Sequence, residues 1–296
     1  MDSDRLMNRG LKSIKPYVGG KHKDEAREKY RISDPVKLSS NENPLGVSPR
    51  ALSRAREMLA GANVYPEGSN RELRELIARK YGIGPESVIF GNGADEIIYY
   101  LAMSLINDGD EVIIPRLTFP IYEIACRMMR AEIVYSEMDG CGIDLDDILH
   151  RVTRKTKLIT LCNPNNPTGH ALSADLVHPF IEAVPGQVIL VMDEAYADFA
   201  DRTTFPDSVD RFRRGRDNLV VIRTLSKAYG LAGFRVGYGI ADPGIVELMN
   251  RIKLPFNVSL VSQHAAVGAL DDDEFLKTTI ENTKSGRELN INMWLF

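Results

Sequence analysis

The residues most able to do chemistry lie in the tetrapeptide Thr224-Leu225-Ser226-Lys227, which is followed eight residues later by Arg235. The lysine comes just after a strand-like run at residues 218–223. A lysine amine can form a Schiff base with an aldehyde, and two hydroxyls with a guanidinium can hold a phosphate. These residue types therefore suit an anionic aldehyde cofactor. A Ser-Lys pair alone carries little information, because most lysines are solvated surface charges.

A second signal is the run Asp193-Glu194-Ala195-Tyr196 at the end of another apolar strand. A carboxylate buried at a strand end is costly unless it is paired. Opposite a pyridine nitrogen, Asp193 would keep that nitrogen protonated, as the arrangement of pyridoxal phosphate in enzymes requires. Tyr196 could donate to the phenolate oxygen of the same ring. A plainer interpretation stays open, in which Asp193 caps the next helix.

The run Gly91-Asn92-Gly93-Ala94-Asp95-Glu96 follows a strand and opens a long helix. Glycines allow a sharp turn, and the free amides at the start of the helix can cradle a phosphate. A simple strand-to-helix turn, with Asp95 as a cap or first-turn acid, would look the same.

Three other loops contain candidate ligand contacts. The repeated asparagines of segment 163–169, fixed by two prolines and a glycine, favour an amide that faces a ligand. Phe119 follows a strand and could stack on a flat ring, although an aromatic residue here is more often part of the core. Tyr65 lies with Pro66 in a loop between two helices, and by itself it indicates only a turn.

Composition excludes several classes of protein. At 296 residues, with 44% hydrophobic and 26% charged residues, the chain is typical of a globular protein with one large or two smaller domains. A net charge of −4 gives no electrostatic footprint for nucleic acid. No apolar run is long enough to span a membrane and the N-terminus is not a signal peptide, so we expect a cytoplasmic protein. The three cysteines and five histidines lack metal-ligand spacing, and we expect no metal.

Helical and strand-like segments alternate from about residue 48 onwards. Strands are predicted at 87–90, 111–114, 132–135, 157–162, 188–192, 219–223 and 236–240. Helices are predicted at 49–59, 70–81, 95–106, 121–130, 145–151, 173–184 and 245–253. Several strands are continuous apolar runs, which suits a sheet covered on both faces. The pattern indicates an α/β layer fold with a mostly parallel sheet, and ligands bind such sheets beyond the carboxyl ends of the strands.

Taken together and in order, these segments resemble the histidinol-phosphate aminotransferases, a family of fold-type I enzymes dependent on pyridoxal phosphate. The resemblance runs from about residue 12 to about residue 288. It is carried by Ser39-Ser40-Asn41-Glu42-Asn43-Pro44, Tyr65-Pro66-Glu67, Gly93-Ala94-Asp95-Glu96, Asn165-Asn166-Pro167-Thr168-Gly169, Asp193-Glu194-Ala195-Tyr196, Arg223-Thr224-Leu225-Ser226-Lys227-Ala228 and Leu231-Ala232-Gly233-Phe234-Arg235-Val236-Gly237.

The resemblance implies a three-layer αβα architecture and a set of roles. Lys227 would be the Schiff-base lysine and proton shuttle, with Asp193 on the pyridinium nitrogen and Tyr196 and Asn166 on the ring oxygen. Phe119 would cover the ring face. The phosphate would be surrounded by Gly93, Ala94, Asp95, Thr224, Ser226 and Arg235. Tyr65 would reach the cofactor phosphate of a neighbouring subunit in a homodimer, and both Asn43 and Tyr65 would contact the substrate.

The resemblance also implies three parts of the chain and a missing one. We expect an N-terminal arm at residues 1–45, a cofactor-binding large domain at 46–255 and the start of a small domain at 256–296. The family continues for several dozen residues, which include the arginine that grips the substrate α-carboxylate. We therefore expect a truncated chain that binds pyridoxal phosphate weakly and has little activity unless another chain supplies the missing part.

The function implied is transamination between histidinol phosphate, an amino-acid-like phosphate ester, and the 2-oxo acid 2-oxoglutarate, in histidine biosynthesis. Two alternatives remain open from the residues. The first is a related enzyme, either an aromatic amino-acid aminotransferase or a threonine-phosphate decarboxylase. The second is an inactive remnant, either a scaffold that still binds pyridoxal phosphate or an unstable gene fragment.

Overall fold

The computed structural model describes residues 5–20 and 23–294, with side chains to residue 289. Within these residues the chain forms eleven α-helices and nine strands. The strands are β1 (Val88–Asn92), β2 (Glu111–Pro115), β3 (Glu132–Ser136), β4 (Met138–Asp139), β5 (Gly142–Ile143), β6 (Thr156–Cys162), β7 (Ile189–Asp193), β8 (Leu219–Thr224) and β9 (Val236–Ile240). The helices are α1 (Lys23–Tyr30), α2 (Pro49–Leu59), α3 (Arg71–Tyr81), α4 (Ala94–Leu105), α5 (Ile121–Met128), α6 (Leu145–His150), α7 (Ala174–Ala183), α8 (Ser208–Arg213), α9 (Pro243–Asn250), α10 (Leu260–Leu270) and α11 (Asp273–Trp294).

Seven strands form one sheet in the order β1-β9-β8-β7-β6-β2-β3, and β4 and β5 form a separate hairpin. Strands β3, β2, β6, β7 and β8 run parallel, whereas β9 is antiparallel to both β8 and β1. The predicted mostly parallel sheet is confirmed. Because β9 runs the other way, its first residue lies at the same edge of the sheet as the last residues of its neighbours.

Both faces of the sheet are covered. Alternate strand residues enter different core clusters, since side chains on a strand point to opposite faces: Ile113 and Leu190 belong to one cluster, and Val112 and Val191 belong to the other. The first cluster takes in α2, α3, α6, α7, α8 and α10, and the second takes in α4, α5 and α9. This arrangement confirms the predicted three-layer αβα architecture.

Helix α10 packs closely against α2. A Cβ placed on Gly268 would come within 2.7 Å of the Arg50 carbonyl oxygen, so only glycine allows this approach. Ala51 and Ala265, from the two sides of the boundary predicted at residue 255/256, belong to the same core cluster. The division into an arm, a large domain and a small domain stays a prediction.

The predicted arm contains a 3-10 helix at Arg9–Ser13 and the eight-residue helix α1 within its described residues. Among the helices that the structure describes, none is both long and apolar enough to cross a membrane. The described residues contain no group of three or more His, Cys, Asp or Glu side chains placed to hold a metal ion.

Candidate active site

Six strands deliver polar residues to one edge of the sheet. The segments that leave the carboxyl ends of β1, β2, β6, β7 and β8 meet the start of β9 there, around a cavity of about 470 Å³. Ten of the predicted cofactor residues line this cavity: Ala94, Asp95, Phe119, Asn166, Asp193, Tyr196, Thr224, Ser226, Lys227 and Arg235. The sequence placed these residues at strand ends, and the parallel sheet brings the ends together.

Lys227 lies in the turn after β8, where its Nζ donates to the Ser40 carbonyl oxygen at 3.0 Å. Burial lowers the pKa of the Lys227 amine, and the charge of Arg235 lowers it further, whereas Asp95 opposes the shift. A lowered pKa increases the fraction of neutral amine, which is the form that attacks an aldehyde or accepts a proton.

Asp193 ends β7 with its side chain buried under the cavity. Its Oδ2 accepts from the Tyr122 hydroxyl at 2.5 Å and its Oδ1 accepts from the Ala195 N–H at 3.0 Å. Burial raises the pKa of Asp193 to about 6, and these two hydrogen bonds oppose the shift. No salt bridge to Asp193 exists among the described residues. The carboxylate therefore lacks a cation at contact distance, which a protonated ring nitrogen would provide.

The other end of the cavity has the properties of an anion site. Gly93 precedes α4 with a φ of +82°, and its N–H donates to the Arg235 carbonyl oxygen at 3.1 Å. This φ favours glycine, and a Cβ at Gly93 would also come within 2.3 Å of the Arg235 guanidinium in its present position. The guanidinium contacts the Asp95 carboxylate at 3.3 Å, and both side chains are more than 40% exposed. Both groups can therefore rearrange around an incoming phosphate.

Thr224 and Ser226 complete this anion site. The Thr224 hydroxyl accepts from the Ser226 N–H at 3.1 Å. The Ser226 hydroxyl is buried and has no hydrogen-bond partner among the described residues, which is costly unless a ligand provides one. A phosphate oxygen would satisfy it. With the free amides of α4 and Arg235 nearby, these residues fit the phosphate of pyridoxal phosphate.

Between the two ends, Tyr196 and Phe119 line the cavity. The Tyr196 hydroxyl accepts from Asn166 Nδ2 at 3.3 Å and from Asn41 Nδ2 at 3.0 Å. Phe119 is half-buried, with its ring edge-to-face with Tyr122 at 5.9 Å between centroids and near Tyr17 at 6.5 Å. Both predicted ring contacts thus line the same cavity as Asp193 and Lys227.

The three asparagines of segment 163–169 have different contacts. Asn163 bonds in both directions with the backbone of Leu172, and Asn165 bonds to Thr118, Thr168 and the Leu117 carbonyl. Both are buried and shape the turn. Asn166 alone of the three lines the cavity and directs its amide at Tyr196.

A larger cavity of about 1100 Å³ adjoins the first and shares Asn41, Asn166, Pro167, Tyr196 and Lys227 with it. Asn43, the predicted substrate residue, lines this second cavity, and its amide donates to the Ala228 carbonyl and the Thr279 hydroxyl. Arg287 of α11 also lines it. Lys227 therefore stands between the predicted cofactor residues and a space for a further ligand.

Tyr65 lines neither cavity. It is 77% exposed, and its ring stacks on Phe256 with centroids 4.7 Å apart. The structure of the single chain therefore does not bring Tyr65 to the other predicted cofactor residues, and its role toward a neighbouring subunit stays a prediction.

Sequence reasoning missed two side chains that form hydrogen bonds with predicted cofactor residues. Tyr122 of α5, a buried residue of the second core cluster, donates to Asp193, and its place on an amphipathic helix is that of an ordinary core residue. Asn41 reaches Tyr196 from the predicted arm, 155 positions away. It lies in the segment Ser39–Pro44 that carries the resemblance, but only Asn43 of that segment was given a role. Asn41 has a φ of +51°, a left-handed conformation that asparagine tolerates.

The comparisons with known proteins agree with this geometry. The profile of the family described as "Aminotransferase class I and II" matches residues 33–290. The chain is 42% identical over 284 residues to "Histidinol-phosphate aminotransferase 2" of Carboxydothermus hydrogenoformans, covering 96% of this chain and 78% of that protein. It is 41% identical to "Histidinol-phosphate aminotransferase" of Moorella thermoacetica, covering 93% and 72%. Its fold is similar to the crystal structure of histidinol-phosphate aminotransferase from Sinorhizobium meliloti in complex with pyridoxal-5'-phosphate, with a TM-score of 0.87, 27% identity and 95% and 75% of the two chains covered.

Proposed function

Because the chain belongs to the class I and II aminotransferase family, we propose that it binds pyridoxal phosphate in the smaller cavity and transfers the amino group of histidinol phosphate to 2-oxoglutarate. The products would be imidazole-acetol phosphate and glutamate, in histidine biosynthesis. One observation supports this proposal most: the Lys227 amine, the Asp193 carboxylate and the Ser226 hydroxyl line one cavity. Among the described residues, no cation contacts this carboxylate and no group forms a hydrogen bond with this hydroxyl. The names of the relatives support the substrate.

When bound, pyridoxal phosphate supplies an aldehyde that bonds to amines and a ring that takes up electrons from the substrate. Asp193 would keep the ring nitrogen protonated, and Tyr196 and Asn166 would face the ring oxygen. Phe119 would cover the ring. Ser226, Thr224, Arg235 and the amides of Ala94 and Asp95 after Gly93 would hold the phosphate.

Lys227 has two tasks in this proposal. Its Nζ would hold the cofactor at its aldehyde, and as a free, neutral amine it would take the proton from the substrate Cα. Burial lowers the pKa of this amine and so favours the neutral form. The charge of Arg235 adds to the effect of burial.

The substrate would enter through the larger cavity, where Asn43 lies. An exposed tyrosine, Tyr65, would reach the phosphate of the second subunit in a homodimer. The cytoplasmic location expected from the composition belongs to the same proposal. The expectation of impaired activity stays a prediction.

The test combines binding and turnover. Purified protein with pyridoxal phosphate should give the absorbance of covalently bound cofactor, which should change when histidinol phosphate is added, and glutamate should form from 2-oxoglutarate. Aromatic amino acids and threonine phosphate, assayed separately, distinguish the alternative enzymes. Lys227→Ala should abolish both the covalent absorbance and turnover, because no other amine replaces Nζ. A Lys227→Ala protein that retains both would refute the assignment, and a stable absorbance that no donor changes would indicate an inactive scaffold.

A further inference from the structure

Two side-chain amides converge on one phenol oxygen. Asn41 Nδ2 and Asn166 Nδ2 both donate to the Tyr196 hydroxyl, at 3.0 Å and 3.3 Å. A phenol oxygen accepts at most two hydrogen bonds and has one proton to donate. With both acceptor places used, the Tyr196 hydroxyl can act toward any third group only as a donor.

The position of Asn41 is itself fixed. It adopts a φ of +51°, which asparagine tolerates better than most residues. The preceding carbonyl, that of Ser40, accepts from Lys227 Nζ at 3.0 Å. Two successive arm residues therefore contact the two groups of the cavity that would meet the reactive part of the cofactor, the amine and the phenol.

We infer that Asn41 is a positioning residue that fixes Tyr196 as a hydrogen-bond donor toward the ring oxygen of the cofactor. The inference rests on the proposed function, because it requires pyridoxal phosphate in the cavity. Asn166 Nδ2 has two protons and could donate one to Tyr196 and the other to the same ring oxygen, whereas no role toward the ring is expected of Asn41, so its hydrogen bond would be made to Tyr196 alone. A hydrogen bond accepted by a hydroxyl makes its own proton a stronger donor.

The pKa of Tyr196 also responds to the hydrogen bond from Asn41. Burial raises the pKa of Tyr196, and the hydrogen bond from Asn41 opposes that rise. The ionisable groups around the phenol are Tyr17 of the arm, Cys162 at the end of β6, Asp193 at the end of β7 and Lys227, whose Nζ lies 5.7 Å from the ring centroid. Of these and the two asparagines, only Asn41 and Asn166 donate to the phenol oxygen among the described residues.

Two substitutions at residue 41 separate this role from simple anchoring of the arm. Asn41→Asp preserves the shape and tolerates the left-handed backbone, but its carboxylate only accepts hydrogen bonds, so the Tyr196 hydroxyl would donate to residue 41 instead of to the ring oxygen. Asn41→Gly removes the amide and leaves the backbone relaxed. If Asn41 only anchors the arm, both changes loosen it without regard to the chemistry of the ligand.

The measurement is the dissociation constant of each full-length apoprotein for pyridoxal phosphate and for its 3-deoxy analogue, which lacks the ring oxygen. Asn41→Asp should weaken binding of pyridoxal phosphate about tenfold more than binding of the analogue, since a hydrogen bond to a charged group is lost. Asn41→Gly should show the same preference with a smaller factor. Lys37→Gln, which breaks the Lys37–Glu42 salt bridge of the same arm without touching Tyr196, should change both constants equally or not at all.

Equal weakening for the two ligands in Asn41→Asp would overturn the inference and leave an anchoring role. Failure of the unaltered protein to bind either ligand would instead overturn the proposed function, so the two failures are distinguishable. The thermal midpoint of each apoprotein, compared with that of the unaltered chain, verifies that the variants are folded.

Discussion

Two adjacent carboxylates at the end of β7 differ in their partners: one contacts a cation and the other contacts neutral donors. Asp193 and Glu194 are both buried, with exposed fractions of 3% and 1%, and they point to opposite faces of the sheet. On one face, called the structural face below, Glu194 forms an ion pair with Arg223 from β8. The Arg223 guanidinium lies 5.7 Å from the centroid of the Tyr81 ring. On the other face, called the functional face below, the described residues offer Asp193 only neutral donors, Tyr122 and the Ala195 N–H.

Burial raises the pKa of both carboxyls, but Arg223 opposes the shift at Glu194 and no cation contacts Asp193 among the described residues. A buried charge whose partner comes from the chain is compensated within the fold. A buried charge that lacks a partner adds a cost that only a ligand can offset. We therefore assign a structural role to Glu194, which is paired within the fold, and a ligand-binding role to Asp193, which has only neutral donors among the described residues.

The largest effect is expected on the structural face. Arg223→Met would leave Glu194 buried without a cation, and the free energy of unfolding should fall by about 3–5 kcal/mol. Replacing both residues by methionine removes the bare charge and should restore much of that loss. Urea unfolding of the apoproteins measures both. Equal losses in the single and double variants would show that the charge is not the cause, and would weaken the comparison.

The two carboxylates also show how far the sequence leads. The strands were predicted to within two residues and the residues at their ends were correctly brought to one edge, because apolar runs and turn residues are local signals. The sequence could not distinguish the paired from the unpaired carboxylate, since the partners of each come from distant segments. Helices α8, α10 and α11 were not predicted. In α10 the apolar residues and the polar run Ser262-Gln263-His264 do not separate onto two faces, so the helix has no amphipathic period. The hairpin of β4 and β5 was missed because each strand has only two residues.

The next largest effect is a pH dependence of the stability of the apoprotein, caused by Asp193 on the functional face. The pKa of Asp193 is raised to about 6 in the folded apoprotein, against about 4 in an unfolded chain. The folded state therefore holds the proton more tightly, and its stability should fall as the pH rises from about 4 to about 6. Two pKa units correspond to about 3 kcal/mol, which Asp193→Asn should not lose.

Unfolding of the two apoproteins at a series of pH values measures this difference, and parallel curves would contradict it. Glu194 is present in both proteins, so its own titration cancels. Affinity for pyridoxal phosphate should run in the opposite direction in the unaltered protein. It should weaken as the pH falls through about 6, because a protonated Asp193 has no charge to offer the ring nitrogen.

The smallest effect is expected from removing one hydrogen bond, that between the Tyr122 hydroxyl and Asp193. The Tyr122 hydroxyl donates to Asp193 Oδ2 and lowers the pKa of that carboxyl against the effect of burial. Tyr122→Phe keeps the edge contact with Phe119 but removes the donor, so the Asp193 pKa should rise further. The midpoint of the pH dependence of cofactor affinity should then move up by about one unit, the value of a hydrogen bond to a charged group.

At pH 8 the affinity of Tyr122→Phe should approach that of the unaltered protein, because Asp193 is ionised in both. Tyr100→Phe provides the matched control, since the Tyr100 hydroxyl contacts Asn257 and does not touch Asp193. An unmoved midpoint in Tyr122→Phe would mean that this hydroxyl does not help to keep Asp193 charged. The charge would then depend on the incoming cation alone, and the functional face would differ from the structural face even more sharply than the hydrogen bonds indicate.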